Sequence, residues 1–214
     1  MVYLPEHFVE HDITAVHDLI EQNPLGLLIT LGTDGLSANH IPFVLDRNHG
    51  EEGRLLGHVA RNNAVWHDHV ADLGALVVFQ AVEGYISPNW YPTKQEAHRV
   101  VPTWNYAVAH VYGPLIVHDD EKWLRGQAGR LTKLMEADQP TPWKMADAPR
   151  DYLETMLANI VGIEIPITRL AGKVKAGQNR ELVDREGAIA GLRGNGDPGD
   201  GAMADVMEAT LPHE

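Results

Sequence analysis

Residues 84–113 hold two of the five tryptophans and four of the six tyrosines. The runs Gly84-Tyr85-Ile86-Ser87-Pro88-Asn89-Trp90-Tyr91 and Val101-Pro102-Thr103-Trp104-Asn105-Tyr106 set these rings among prolines and small polar residues. That mixture does not make an amphipathic helix. It suits a rigid strand-and-loop surface that receives a flat ring. Aromatic faces stack, while Ser, Thr and Asn fix orientation. The plainer alternative is a core corner of a β-rich domain, where the same rings fill volume.

Three further segments carry chemistry. In Gly57-His58-Val59-Ala60-Arg61-Asn62-Asn63 a strand delivers an arginine and two asparagines to a helix start. Free N–H groups at such a start, with a guanidinium fork, form an anion site. An ordinary Asn cap beside a solvated Arg gives the same letters. In Ser37-Ala38-Asn39-His40-Ile41-Pro42, proline implies an edge strand or a bulge. Open main-chain groups there can hydrogen-bond a planar heterocycle. Lys173-Val174-Lys175-Ala176-Gly177-Gln178-Asn179-Arg180 reads as an anion clamp or as a solvated loop.

Other chemistries lack support. His67 and His69 stand two apart, a spacing that turns helical side chains away from each other, so no metal site is expected. No serine sits in a nucleophile elbow. Asp119-Asp120 fits a helix start better than a catalytic carboxylate pair. Cysteine is absent, which excludes disulfides and thiolate chemistry.

The elements that must position these residues follow from periodicity. A helix is expected over 12–22, ended by Asn23-Pro24. Strands are expected over 25–31 and 36–45, joined by the turn Gly32-Thr33-Asp34-Gly35. Further strands are expected over 54–60, 75–82 (continuing toward 87), 101–112, 115–117, 161–166 and 167–176. Helices are expected over 64–70, from 119 to 136, over 152–158 and over 181–192. Residues 93–99 read as a mobile loop or short helix, and 140–149 as a proline-rich linker. Short strands with flanking helices indicate an α+β, β-barrel-like core over residues 1–192 as a single domain. The glycine-rich residues 193–214 read as a flexible C-terminal tail, disordered or ordered only by contacts.

The 214 residues carry a formal net charge of −13. That opposes direct DNA binding, which needs clustered cations. No leader or membrane-length apolar run is visible, and with no cysteine a cytoplasmic protein is expected.

At these residues the chain resembles the PaiB-type proteins, described as FMN-binding negative transcriptional regulators. The likeness begins at Tyr3-Leu4-Pro5-Glu6-His7-Phe8. It passes through His40-Ile41-Pro42, the 57–62 run and Tyr85-Ile86-Ser87-Pro88-Asn89-Trp90-Tyr91. It is strongest at Val100-Val101-Pro102-Thr103-Trp104-Asn105-Tyr106, and closes with Val161-Gly162-Ile163-Glu164-Ile165 and the 173–180 run. One departure stands out. The family usually has Leu-Ser-Gln-Asn where this chain has Ala176-Gly177-Gln178-Asn179, so one hydroxyl contact to an anion is missing.

The resemblance implies an FMN-binding split β-barrel with peripheral helices, assembled as a homodimer with flavin at the interface. It implies FMN phosphate on Arg61 and Asn62, so Arg61→Ala is expected to weaken binding. His40, Ile41, Pro42, His58, Val59 and Ala60 would line the flavin ring by main-chain contacts. Tyr85, Ser87, Trp90, Trp104 and Asn105 would close the site, and Lys173, Gln178 and Arg180 would add a clamp. Tyr85, His58 and His110 are the proton-donating candidates. Two functions follow: a flavin-dependent oxidoreductase or carrier, and a regulator that represses transcription without flavin turnover. A haem-binding split barrel is a third alternative.

Overall fold

In the computed structural model, which describes residues 2–212, chain order begins with β1 (Val9–Glu10), α1 (Ile13–Gln22), β2 (Leu25–Gly32), β3 (Gly35–Pro42), β4 (Val44–Asp46) and β5 (Arg54–Ala60). It continues with β6 (Ala75–Ile86), α2 (Lys94–Ala97), β7 (Thr103–Gly113), β8 (Ile116–His118) and α3 (Glu121–Met135). It ends with α4 (Arg150–Ala158), β9 (Ile160–Pro166), β10 (Arg169–Lys175), α5 (Leu182–Asn195) and α6 (Pro198–Ala209). The result is an α+β fold with two antiparallel sheets.

The chain gathers into two compact units. The first takes residues up to Val16, then Gln80–Ala109, then Ala171 onward; the second takes His17–Phe79 and His110–Leu170. β6 and β7 run through both.

In the second unit, β2 and β3 form the expected hairpin. Gly32 pairs with Gly35 across Thr33-Asp34. Among the described residues β3 pairs only with β2 and ends the sheet, so Pro42 sits on an edge where its missing N–H costs no ladder bond. After Phe43 the chain enters the second sheet, ordered β4-β5-β9-β8. β5 and β9 run in register from Arg54↔Pro166 to Ala60↔Ile160. Leu55 and Val59 point into the core. Gly57 lies against the Phe43 ring and Ile41; an added Cβ would stand 3.0 Å from the ring. Phe43 meets Phe79 edge-on at 6.1 Å.

The opposite face of this sheet receives α3. Asp120 caps it, its Oδ1 accepting from the Trp123 N–H at 2.8 Å. Gly162 has no side chain where the Trp123 indole packs; a Cβ there would fall inside the ring. That indole stacks on His118 at 4.2 Å and 9°. His118 Nε2 in turn meets the buried Glu164 at 2.9 Å, and Arg54 donates to Glu164 at 3.1 Å and to Asp46 at 2.9 Å. A buried carboxylate needs such partners.

Two expected elements do not form as expected: the strand over 36–45 divides at Phe43 into β3 and β4 of different sheets, and no helix forms over 64–70. The helix over 64–70 is only a 3-10 turn, Ala64–Trp66, followed by another at Ala71–Leu73. The chain is drawn off the helical path from the outside. Asp68 accepts from Thr33 N and Oγ1, and the Val70 N–H donates to the Leu31 carbonyl at 2.7 Å. Within the described residues the tail is helical and ordered by contacts: α5 continues to Asn195, and α6 occupies Pro198–Ala209. Asp197 caps α6 and Pro198 holds the first-turn position. Met203, Ala204 and Met207 are buried with Ile86, Tyr91, Ala188 and Leu192 in the core of the first unit.

Met203→Ala should therefore cost about 2–4 kcal/mol of stability by urea denaturation, the range for emptying a buried methionine site. A mobile tail would leave the midpoint unchanged. Gly113→Ala should also destabilise, because a methyl there would overlap the Pro166 carbonyl oxygen in the backbone itself. Its effect on the urea midpoint should exceed that of Gly35→Ser, whose Cβ would meet nothing within 4 Å despite the glycine's positive φ.

Candidate functional site

Arg61 follows directly on β5, and the main chain fixes it there. Its N–H donates to the Asn159 carbonyl at 2.8 Å, and its own carbonyl accepts from Trp66 Nε1 at 2.9 Å. The guanidinium donates to the carbonyls of Ala158 and Ile160 at 2.7 and 3.0 Å. Its two terminal nitrogens grip the Asp119 carboxylate at 3.0 and 2.5 Å. This is the bidentate fork that recognises oxyanions. Arg61 holds the Asp119 carboxyl below the usual carboxylate range, and Asp119 raises the guanidinium in return. Both side chains are solvent-accessible, at 38% and 51%. Asn62 is exposed beside them. Asn63 is the cap: its Oδ1 accepts from the Val65 N–H at 3.0 Å, and its Nδ2 donates to Asn39 at 2.9 Å.

The remaining candidates of this unit divide by strand face. His40 is exposed on the edge strand, while Ile41 is buried in the core and Pro42 half-buried. Val59 is likewise a core residue. Ile41 and Val59 can therefore offer a ligand main-chain atoms only. His58 is half-buried, and its Nδ1 lies 2.7 Å from Gln127 Oε1. Ala60 is exposed at the strand end.

The other candidates lie in the first unit. Tyr85, Ser87, Trp90 and Trp104 line one cleft of about 650 Å³. The Tyr85 and Trp104 rings are 5.9 Å apart, edge to face, and Trp104 is 54% exposed. Ser87 caps the Pro88–Trp90 turn by accepting from the Asn89 N–H. Trp90 lies on Gly191 of α5, where a Cβ would enter its ring. Glu83, Asn195, Asp197 and Asp200 complete the cleft.

Asn105 does not join it. It is buried, and its Nδ2 contacts Met207 Sδ at 3.3 Å, because α6 covers it. Lys173 is also buried; its ammonium donates to the Tyr3 carbonyl at 2.9 Å and lies over the Tyr106 ring. Gln178 is spent on its own loop, accepting from the Ala176 N–H and donating to the Val174 carbonyl. Arg180 lies over the Tyr91 ring at 5.2 Å. Lys175 donates to Thr103 Oγ1 and to the Trp104 carbonyl. Burial first, then the nearby charges of Lys173 and Arg180, push its amine below the ordinary lysine range. Of this segment, Lys173, Lys175 and Arg180 bring cationic groups near one another, while Gln178 bonds within its own loop.

Sequence reading missed four residues. Asp119 reads as half of a helix start, yet only Asp120 caps α3. Gln127, which holds His58, lies 69 residues further along the chain. Asp197 and Asp200 belong to the stretch taken for a tail. His110 is half-buried on β7, its ring 6.4 Å from that of Tyr112. Among the described residues, no three His, Asp or Glu side chains gather as a metal site would require, and no helix is long and apolar enough to cross a membrane.

Comparison with known proteins places this arrangement. Residues 2–169 match the family described as "Putative FMN-binding domain". An uncharacterized protein of Emericella nidulans is 33% identical over 96% of both chains. The protease synthase and sporulation protein PAI 2 of Bacillus subtilis is 28% identical over 98% of both. In fold, the chain is similar to the FAD and heme binding protein of Mycobacterium smegmatis, with TM-score 0.58 and 16% identity over 84% of this chain and 79% of that one. It is also similar to the flavocytochrome Anf3 of Azotobacter vinelandii, with TM-score 0.56 and 11% identity over 79% and 70%. The chain belongs to the PaiB-type family of FMN-binding-domain proteins, with the split-barrel fold of its structural neighbours.

Proposed function

We propose that this protein binds FMN, with Arg61 and Asn62 on the phosphate. The Arg61 fork carries the reading, because it already grips an oxyanion, the Asp119 carboxylate. A phosphate dianion offers the same two-oxygen edge with more charge. An exposed ion pair holds its partner weakly, so exchange is cheap. Arg61 also lies inside the stretch matched to the family, whereas the Lys173, Lys175 and Arg180 group lies beyond it. The main chain of His40, Ile41, Pro42, His58, Val59 and Ala60 would run along the ring. Bound flavin would supply the electron chemistry, and the protein supplies orientation and charge.

In this reading the chain works as a homodimer. Exposed Tyr85 and Trp104, with Trp90, offer apolar faces that a partner's bound ring would cover. The activity is that of a flavin-dependent oxidoreductase or a flavin-responsive regulator. The Bacillus relative is named for protease synthesis and sporulation. Any such control by this chain would run through flavin or a protein partner, since a net charge of −13 opposes DNA phosphates.

Purified protein mixed with FMN and passed through gel filtration should keep a flavin band near one per chain, at twice the chain's mass. A colourless fraction would sink the reading. Arg61→Ala should weaken FMN at least about tenfold, the order for a charged hydrogen bond to phosphate. Asp119→Asn should tighten it roughly two- to fivefold by releasing the fork. If Arg180→Ala abolishes binding while Arg61→Ala and Asp119→Asn do nothing, the phosphate sits on the cationic group instead. A DNA duplex at low salt should show no retardation; a shift that fades as salt rises would restore the DNA-binding reading.

A further inference from the structure

A cavity of the second, larger unit, about 420 Å³, lies between α3 and the β5 face that carries Arg54 and Leu56. Lys122, Gly126 and Arg130 line it at spacings of four residues, which puts all three on one helix face. Gly126 stands near the middle of α3, where glycine is a poor helix former. Packing does not require it. A Cβ at Gly126 would meet nothing within 4 Å, unlike Gly162 or Gly57 in the same unit. The missing side chain therefore opens a notch, flanked by two cations one turn away on either side.

The other walls define the occupant. Leu56 and the Trp123 ring are apolar. Gln127 is buried with both ends of its amide used, toward His58 and the Leu56 carbonyl. Arg54 is already bound to Asp46 and Glu164. Asp120 spends its carboxylate on capping α3. Among the described residues, neither Lys122 nor Arg130 makes a direct ion pair with a carboxylate, although Arg130 lies near enough to Asp46 to help hold that carboxyl below its usual range. In a chain of net charge −13, two such cations beside an apolar floor are selective for the opposite sign.

We propose that this notch binds a small organic anion: a carboxylate with an aromatic or branched apolar body. The carboxylate sits between Lys122 and Arg130, and the body fills the space over Leu56 and Trp123 that Gly126 leaves. The site is separate from the Arg61 fork and does not depend on flavin binding.

Calorimetric titration of the full chain and of its Arg61→Ala variant with benzoate tests this, with benzylamine as one control and inorganic phosphate as another, the phosphate read on the Arg61→Ala chain, where the proposed flavin-phosphate site is removed. Saturable benzoate binding is expected, with benzylamine excluded and phosphate much weaker. Gly126→Leu should weaken benzoate at least about tenfold by filling the notch, while leaving the thermal midpoint no lower, since leucine favours helix. Lys122→Gln and Arg130→Gln should each weaken it roughly threefold or more. These two positions are exposed, so they carry the test even if the Leu variant misfolds. Absence of saturable benzoate binding would overturn the proposal. So would equal binding of benzylamine, binding of phosphate alone, or benzoate binding unchanged in the folded variants.

Discussion

Alternation along β5 governs the larger unit. Leu55, Gly57 and Val59 turn inward to Phe43 and Ile41, while Arg54, Leu56 and His58 turn toward α3. A slip of one residue would exchange the two sets and drive Arg54 and His58 into the core. Seven paired residues on β9 hold the register, and the Arg54–Glu164 contact marks it with charge. Arg61 inherits its place from that register. Its main chain and guanidinium both take hold of residues 158–160, at the start of β9.

Close approach is arranged by omission. Gly57 makes room for Phe43, Gly162 for Trp123 and Gly191 for Trp90. Each lets a large ring lie directly on backbone, which fixes the ring without a hydrogen bond. Trp123 is then fixed enough to stack on His118, which completes the partners of Glu164. Gly126 differs from the other three, because no ring lies where its side chain would be.

What was legible in the sequence followed from local rules. The Gly32–Gly35 turn, the edge position of Pro42 and the Asp120 cap are set by neighbours in the chain. The arginine at the end of β5 was legible for the same reason. Its carboxylate partner was not, because Asp119 lies 58 residues away and only the β8–β9 pairing brings it near. The helix over 64–70 failed through tertiary pull from Thr33 and Leu31. The tail is another kind of case, ordered only by its contacts. Asp197-Pro198 is a good helix start, and Met203, Ala204 and Met207 fall on one helical stripe. The glycines between them drew the reading to flexibility, although α5 supplies the surface that orders α6.

The Arg61–Asp119 contact gives the fork a resident counter-ion. In the proposed reading, an incoming ligand is weighed against an occupant rather than against water. A flavin without a phosphate would bring nothing to exchange and would leave the pair closed. A monoanion would gain little over the carboxylate it replaces. Only a group of higher charge density changes the balance. In that reading the internal acid is a threshold, trading some affinity for discrimination among ligands that share the same ring.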